Sequence, residues 1–282
     1  MPELFVTPLR NYYFTHERKI MRVAVVQTNP VFGSVQSNVA NALNMIESSE
    51  ADLFVLPELF NTGYNIIDVE EIKELAEEIS GPTNKAVAAI AAKKSCYIVY
   101  GYAEKDDKLY NSAVLVGPQG IIGNYRKVHL YYRETLFFAP GNLGFPVFEL
   151  PFGTVGIMIC FDWMYPESAR SLTLAGAQLV AHPSNLVMPY CPDAMVTRCL
   201  ENKIFSATAN RIGNEHRGGL NLNYIGTSEI VSPDGKILQR MGKDETGVRV
   251  VEIDLSIAKN KNINKHNDLI EGRKPGQYHV DL

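Results

Sequence analysis

Residues 153–170 read GTVGIMICFDWMYPESAR. The stretch 153–159 is apolar without alternation, the pattern of a strand buried on both faces. Pro166 is suited to the first turn of a helix, which the spacing extends over 166–175. Cys160 and Asp162 fall in the short turn between them. A strand apolar on both sides needs cover on both sides, so the flanking sequence should alternate strands with helices. It does. Downstream, 178–181 reads as a strand, 192–202 as a helix and 204–209 as a strand. Residues 224–231 and 236–241 bracket the turn Ser232-Pro233-Asp234-Gly235, and 247–253 closes the core ahead of a polar tail. Upstream, 22–28 is a β-branched run, 34–49 an amphipathic helix, and 52–56 an apolar strand stopped by Pro57. Helical spacing recurs over 69–79 and 83–94, and 96–103 is a further strand. Residues 110–116 and 120–127 flank a Gly-Pro-Gln-Gly turn as a hairpin. The expectation is an α/β fold with helix-covered sheets and some antiparallel pairing. No Gly/Ser linker or low-complexity stretch divides the chain, so we expect one domain over 21–258. Residues 1–20 then form an N-terminal extension and 259–282 a C-terminal tail.

The 282 residues are 46% hydrophobic and 21% charged, with 21 glycines and 15 prolines, which excludes collagen-like, coiled-coil and disordered readings. A formal charge of −4 offers no general attraction to nucleic acid or acidic lipid. No segment approaches the ~18–20 apolar residues of a membrane span. The first twenty residues, with Arg10, His16, Glu17, Arg18 and Lys19, lack the apolar run of a signal peptide. Cys96, Cys160, Cys191 and Cys199 make a poor disulfide framework and contain no CxxC pair. A cytoplasmic, thiol-reduced protein without structural zinc is expected.

Four residues are candidates for chemistry. Cys160 ends a strand at a turn into a helix, where a nucleophile can be presented sharply. Free cysteine is also a common core residue, and taken alone Cys160 reads as one. Glu58 follows the strand that Pro57 stops and has apolar neighbours. Burial would raise its pKa and suit it to general acid–base work, and a solvent-facing turn carboxylate is the competing reading. Lys127, in YRKVHL, is an ordinary surface lysine unless it lies near a thiol, where it would favour thiolate and stabilise an oxyanion. Glu134, in YYRET, reads equally as a solvated loop acid.

In combination, PELF, YRKVHL, RETLFFAPGNLGFPVF and ICFDWMYPESAR, in this order, resemble the nitrilase superfamily of carbon–nitrogen hydrolases. RVAVVQTNP, YNSAVLVGPQG, HPSN and SPDG add to the likeness, which covers about residues 21–255. The resemblance implies a four-layer α-β-β-α sandwich with a Glu-Lys-Cys triad. Glu58 falls on the family's general base, Lys127 on its lysine, Cys160 on its nucleophile, and Glu134 on a further glutamate that orients substrate and lysine. It implies a thioester route to ammonia release from a small amide, with Lys127 and a backbone N–H near Phe161 facing the oxyanion, and no metal or organic cofactor.

Family members that take a substrate carboxylate often carry arginine within a few residues of the cysteine. Trp163 and Met164 stand there in this chain. CFDWMYPE looks more like N-carbamoylputrescine amidohydrolases and aliphatic amidases, whereas plant-type nitrilases usually have glutamate where Asp162 stands. We therefore expect a neutral, apolar or cationic amide or N-carbamoyl amine, with an aliphatic nitrile as the alternative. Tyr64, Phe161, Trp163, Asn185 and Met188 are expected pocket residues, against core packing or loop support. A papain-like hydrolase using His129 or His182, and a non-enzymatic scaffold whose Cys160 resists iodoacetamide, are further alternatives. The resemblance also implies a homodimer or larger homo-oligomer, with the tail as an interface arm or as an unpaired end.

Overall fold

The computed structural model describes residues 20–278. The expected extension lies outside the described residues, apart from Ile20, which already begins the first strand.

Two six-stranded sheets form the centre. The first half supplies β1 (Ile20–Gln27), β2 (Leu53–Val55), β3 (Tyr97–Lys105), β4 (Leu109–Gly117) and β5 (Gly120–Arg126). The second supplies β6 (Val147–Leu150), β7 (Gly153–Ile157), β8 (Leu179–Pro183) and β9 (Phe205–Ala209). A small hairpin follows, β10 (Asn214–Arg217) and β11 (Leu220–Asn223), before β12 (Glu229–Val231), β13 (Ile237–Arg240) and β14 (Gly247–Asp254). Sheet order is β14-β1-β2-β3-β4-β5 in one and β13-β12-β9-β8-β7-β6 in the other. The triplets β1-β2-β3 and β7-β8-β9 are parallel, and their flanks are antiparallel.

Period-two alternation divides each strand of the first sheet between two cores. Val23, Val25, Leu53, Val55, Val99 and Leu115 face the second sheet, where they meet Val155, Ile157, Leu179, Ala181, Ala207 and Ile230. Ala24, Val26, Phe54, Leu56, Ile98 and Val114 face outward. There they pack under α1 (Val35–Glu47) and α3 (Pro82–Lys94) through Val39, Ala42, Ile46, Val87, Ile90 and Ala91. α4 (Pro166–Leu174) and α5 (Cys191–Asn202) cover the other sheet against β7, β9 and β12. The architecture is the expected α-β-β-α sandwich.

Three local expectations differ. The helix predicted over 69–79 is α2 (Val69–Leu75). Ala76 turns extended, and Glu77 exchanges backbone hydrogen bonds with β3, pulling the chain out of the helix. The strand predicted over 224–231 shortens to β12, because Ile225 and Gly226 bond to Leu186 and Arg211 instead of a ladder. The edge strand β6 and the hairpin β10–β11 were not predicted. The tail is tied at its start: Lys261 Nζ donates to the carbonyls of Asn202 and Lys203 at the end of α5, at 3.1 and 3.0 Å.

Glu229, on β12, is a buried acid away from the candidate residues. Arg240 Nε donates to its Oε2 at 2.8 Å, and Oε1 has no hydrogen-bond partner. Burial raises its carboxyl to about 7, against the pull of Arg240. Between pH 4.5 and 7 the unfolded chain ionises this group first, so it lowers stability as pH rises, by roughly 3 kcal/mol over that window. Chemical denaturation across pH 4.5–7.5 should show wild type losing stability relative to Glu229→Gln. Parallel profiles would contradict the assignment.

Candidate active site

The candidate residues stand just beyond the C-terminal ends of strands from both sheets. Glu58 follows β2, Lys127 follows β5, Cys160 follows β7 and Asn185 follows β8. In an α/β sheet this is the rim where ligands bind. Glu58 reaches its place through close backbone contact with β3. A Cβ at Gly101 would lie 2.5 Å from Glu58 Cα, so only glycine fits there.

Lys127 Nζ donates to Glu58 Oε1 and to Glu134 Oε1, both at 2.7 Å, with all three side chains almost wholly buried. Asn111 Nδ2 donates to Glu58 Oε1 at 2.7 Å and to Glu134 Oε2 at 3.4 Å. Tyr64 Oη donates to Glu134 Oε1 at 2.5 Å. Glu58 Oε2 has no hydrogen-bond partner. Burial would strip the ammonium of its proton, but the charges of Glu134 and Glu58 outweigh it and hold Lys127 protonated. Burial raises the Glu58 carboxyl, with Lys127 opposing and Glu134 assisting.

Cys160 sits in the field of this cluster. Its backbone is left-handed, with φ +41°, a conformation that strains a residue bearing a Cβ. The imidazole Nε2 of His182 lies 2.9 Å from the Cys160 carbonyl, and the backbone N–H of Asn185 hydrogen-bonds the thiol. Asn185 Nδ2 also donates to the Glu58 carbonyl at 2.8 Å, tying the two segments together. Burial first, then the negative charge of Glu58, push the thiol well up, and the Lys127 ammonium opposes them. The pull toward thiolate expected from a lysine near the thiol is thus opposed by burial and by Glu58. Cys96, Cys191 and Cys199 are also free, buried and raised. What sets Cys160 apart is the strained strand-end turn and the carboxylate beside it.

A cleft opens on the Glu134 side of the cluster. Its walls are Tyr64 to Ile66, Tyr131 to Glu134, Phe137 and Val187, with Leu220 and Leu222 from β11. Of the five expected pocket residues, Tyr64 lines this cleft. Phe161 stands behind it, its ring 5.0 Å from that of Tyr131. Trp163 is buried in the core around the second sheet, on a turn that packs against α4 and α5, and Asn185 braces the Glu58 and Cys160 backbones. Met188 is half-buried, and its neighbour Val187 takes the cleft position instead. The cleft carries two charged side chains. Glu134 is engaged by Lys127 and Tyr64, whereas Arg133 makes no hydrogen bond or ion pair among the described residues. Among those residues, no three His, Cys, Asp or Glu side chains group as metal ligands.

The papain-like alternative loses its histidines. His182 addresses the Cys160 carbonyl, not its sulfur, and burial lowers it to about 4, so it is neutral. His129 is bound to Asp162 through Nδ1 at 2.8 Å.

Sequence reasoning missed Glu215, on β10. It accepts the Tyr64 and Asn65 amides, the Tyr224 hydroxyl at 2.7 Å and Arg211 at 2.6 Å, and so fixes the loop that carries Tyr64. The available signal was Gly218-Gly219 between two four-residue runs. Both glycines have positive φ, as a tight hairpin turn requires.

The carbon–nitrogen hydrolase family model matches residues 22–261. The chain belongs to this family. A nitrilase from Pyrococcus abyssi is 50% identical over 264 residues, covering 92% of this carbon–nitrogen hydrolase and 99% of the relative. An (R)-stereoselective amidase from Pseudomonas sp. is 33% identical, covering 83% of this chain and 85% of its own. The crystal structure of an amidase from Nesterenkonia sp. superposes with a TM-score of 0.75 at 27% identity, over 85% of this chain and 92% of the other.

Ultraviolet titration near 240 nm, taken as wild type minus Cys160→Ala, should show no Cys160 thiolate absorbance at pH 7. A full thiolate signal there would reverse the electrostatic account of this carbon–nitrogen hydrolase.

Proposed function

We propose that the chain cleaves the non-peptide C–N bond of a small neutral amide or N-carbamoyl amine, releasing ammonia through a thioester on Cys160. One observation carries the reading: a fully buried carboxylate, Glu58, has one oxygen held by Lys127 and Asn111 and the other unpartnered, beside a strained cysteine.

Glu58 takes the Cys160 proton as sulfur attacks the carbonyl carbon. The new C–S bond pushes the carbonyl pair onto oxygen, where Lys127 Nζ and a backbone N–H near Phe161 stabilise it. The C–N bond then breaks, and protonated Glu58 delivers its proton to the departing nitrogen. Glu58 next deprotonates a water that attacks the thioester. Cys160 leaves as sulfur and regains its proton, and the acid departs. A resting thiol suits this scheme, because the base withdraws the proton only as the C–S bond forms.

Arg133, at the cleft without an ion-pair partner among the described residues, disfavours a cationic substrate tail. Two solved variants of one relative, the amidase from Nesterenkonia sp. AN1, support a neutral amide: one structure, matched at 26% identity, holds butyramide, and the other, matched at 25%, carries the acetamide moiety of fluoroacetamide on the active-site cysteine. The Pyrococcus relative's name keeps an aliphatic nitrile as the second reading.

An ammonia-release screen over neutral amides, carbamoyl amines and nitriles should find neutral amides preferred. Cys160→Ala and Glu58→Gln should each lower kcat by about a thousandfold or more. Hydroxylamine should divert the acyl group to a hydroxamate. Equal, non-zero activity in wild type and Cys160→Ala would disprove the mechanism.

The pH profile follows from Glu58. It acts ionised, and burial raises its pKa above the ordinary carboxylate value. Therefore kcat/KM should fall as pH drops through a midpoint above 4.5, the ordinary value, rather than at or below it.

A further inference from the structure

Asp162 takes no part in the proton transfers above, yet it is fully buried and four groups converge on it. Its Oδ2 accepts the Ile159 N–H at 2.8 Å and the Tyr125 hydroxyl at 2.7 Å. Its Oδ1 accepts the His129 N–H at 3.1 Å and meets His129 Nδ1 at 2.8 Å. The placement of these partners matters more than their number. Ile159 directly precedes Cys160, whereas Tyr125 and His129 stand two residues before and two after Lys127. The Tyr125 hydroxyl also accepts the N–H of Val128, the residue after the lysine, at 3.2 Å.

The carboxylate therefore clamps the turn presenting the thiol to the segment presenting the ammonium. These segments come from different sheets, since β5 and β7 share no ladder. The clamp also closes the turn onto itself, because the Asp162 N–H donates to the Ile159 carbonyl at 3.0 Å. The left-handed φ of Cys160 lies inside this closed loop and needs such restraint to persist.

We propose that Asp162 is a positioning residue that sets the Cys160–Lys127 geometry for the C–N hydrolysis proposed above, on which this inference rests. It acts through backbone and hydroxyl donors and touches no reacting atom. The four groups need both carboxylate oxygens as acceptors, and asparagine supplies one oxygen and turns an NH2 group toward the rest. A displacement of about 1 Å at a reacting pair costs on the order of 100-fold in rate. Most cleft walls lie on other segments, with Tyr131 to Glu134 starting two residues beyond His129, so substrate binding should change far less than turnover.

The test is kcat and KM for a neutral amide, measured well below the melting temperature. Asp162→Asn should lose on the order of 100-fold in kcat with KM within about threefold of wild type. Ile230→Val, a buried change on β12, serves as a stability control and should keep wild-type kcat. Wild-type kcat in Asp162→Asn, or equal losses in both variants, would overturn the proposal. Should Asp162→Asn fail to fold, Tyr125→Phe removes one donor while leaving the carboxylate with its other partners. It should lower kcat by about tenfold at unchanged KM, and a wild-type kcat there would equally overturn the proposal. Cys160→Ala separates the two readings. If it is inactive while Asp162→Asn is normal, only the positioning role falls; if it is active, the hydrolytic mechanism falls first.

Discussion

Everything about the active end of this molecule follows from placing an ammonium and two carboxylates where water does not reach. Moving one such charge from water costs several kcal/mol, and only close, saturated pairing offsets it. Lys127 has that pairing from Glu58 and Glu134 at equal distance. The partners cannot come from one segment, because Glu58 ends a central strand and Lys127 ends an edge strand of the same sheet. Glu134 comes from a short 3-10 turn beyond it. The sheet must be correctly ordered before the charges can neutralise one another. The second sheet then brings a thiol to a cluster that already carries one net negative charge when both acids are ionised. Burial first, and that charge sum second, raise the thiol.

The sequence was most legible where one physical rule acted alone. Apolar runs such as residues 52–56 and 153–159 could only be doubly covered strands, and they became β2 and β7. Pro166 marked the start of α4, since proline fits the first turn, and α3 and α5 also open on a proline. The three separated motifs around Glu58, Lys127 and Cys160 meet in one place in the fold. Legibility failed where tertiary partners competed with local pattern. Residues 76–79 keep helical spacing, but the edge of β3 offers Glu77 a better set of hydrogen bonds. The hairpin β10–β11 was hidden by its polarity: Asn-Glu-His-Arg and Leu-Asn-Leu-Asn look like loop, although Glu215 and two leucines do specific work there.

The pocket residues show the same limit at the level of single side chains. Trp163 and Met164 follow the nucleophile in sequence, which made Trp163 look like a pocket wall. The indole is instead buried on a 3-10 turn at Cys160–Met164 that packs against α4 and α5. The walls come from segments distant in sequence, around Tyr64, Tyr131 and Leu220. Charge could be read from the motif; shape could not. Asp162 lies between these cases. Its motif position was visible as a departure from plant-type nitrilases, but three of the four groups that converge on it come from the distant segment 125–129, and no local signal announces them.

The protonated state of Cys160 also bears on durability. Peroxide and other mild oxidants attack thiolates, and susceptibility along the sulfenic, sulfinic and sulfonic series follows thiolate character and exposure. A thiol raised by burial and by a nearby carboxylate presents little thiolate character to such oxidants. On the mechanism proposed above, the surroundings that leave the cysteine in need of Glu58 for attack also protect its sulfur while no substrate is bound.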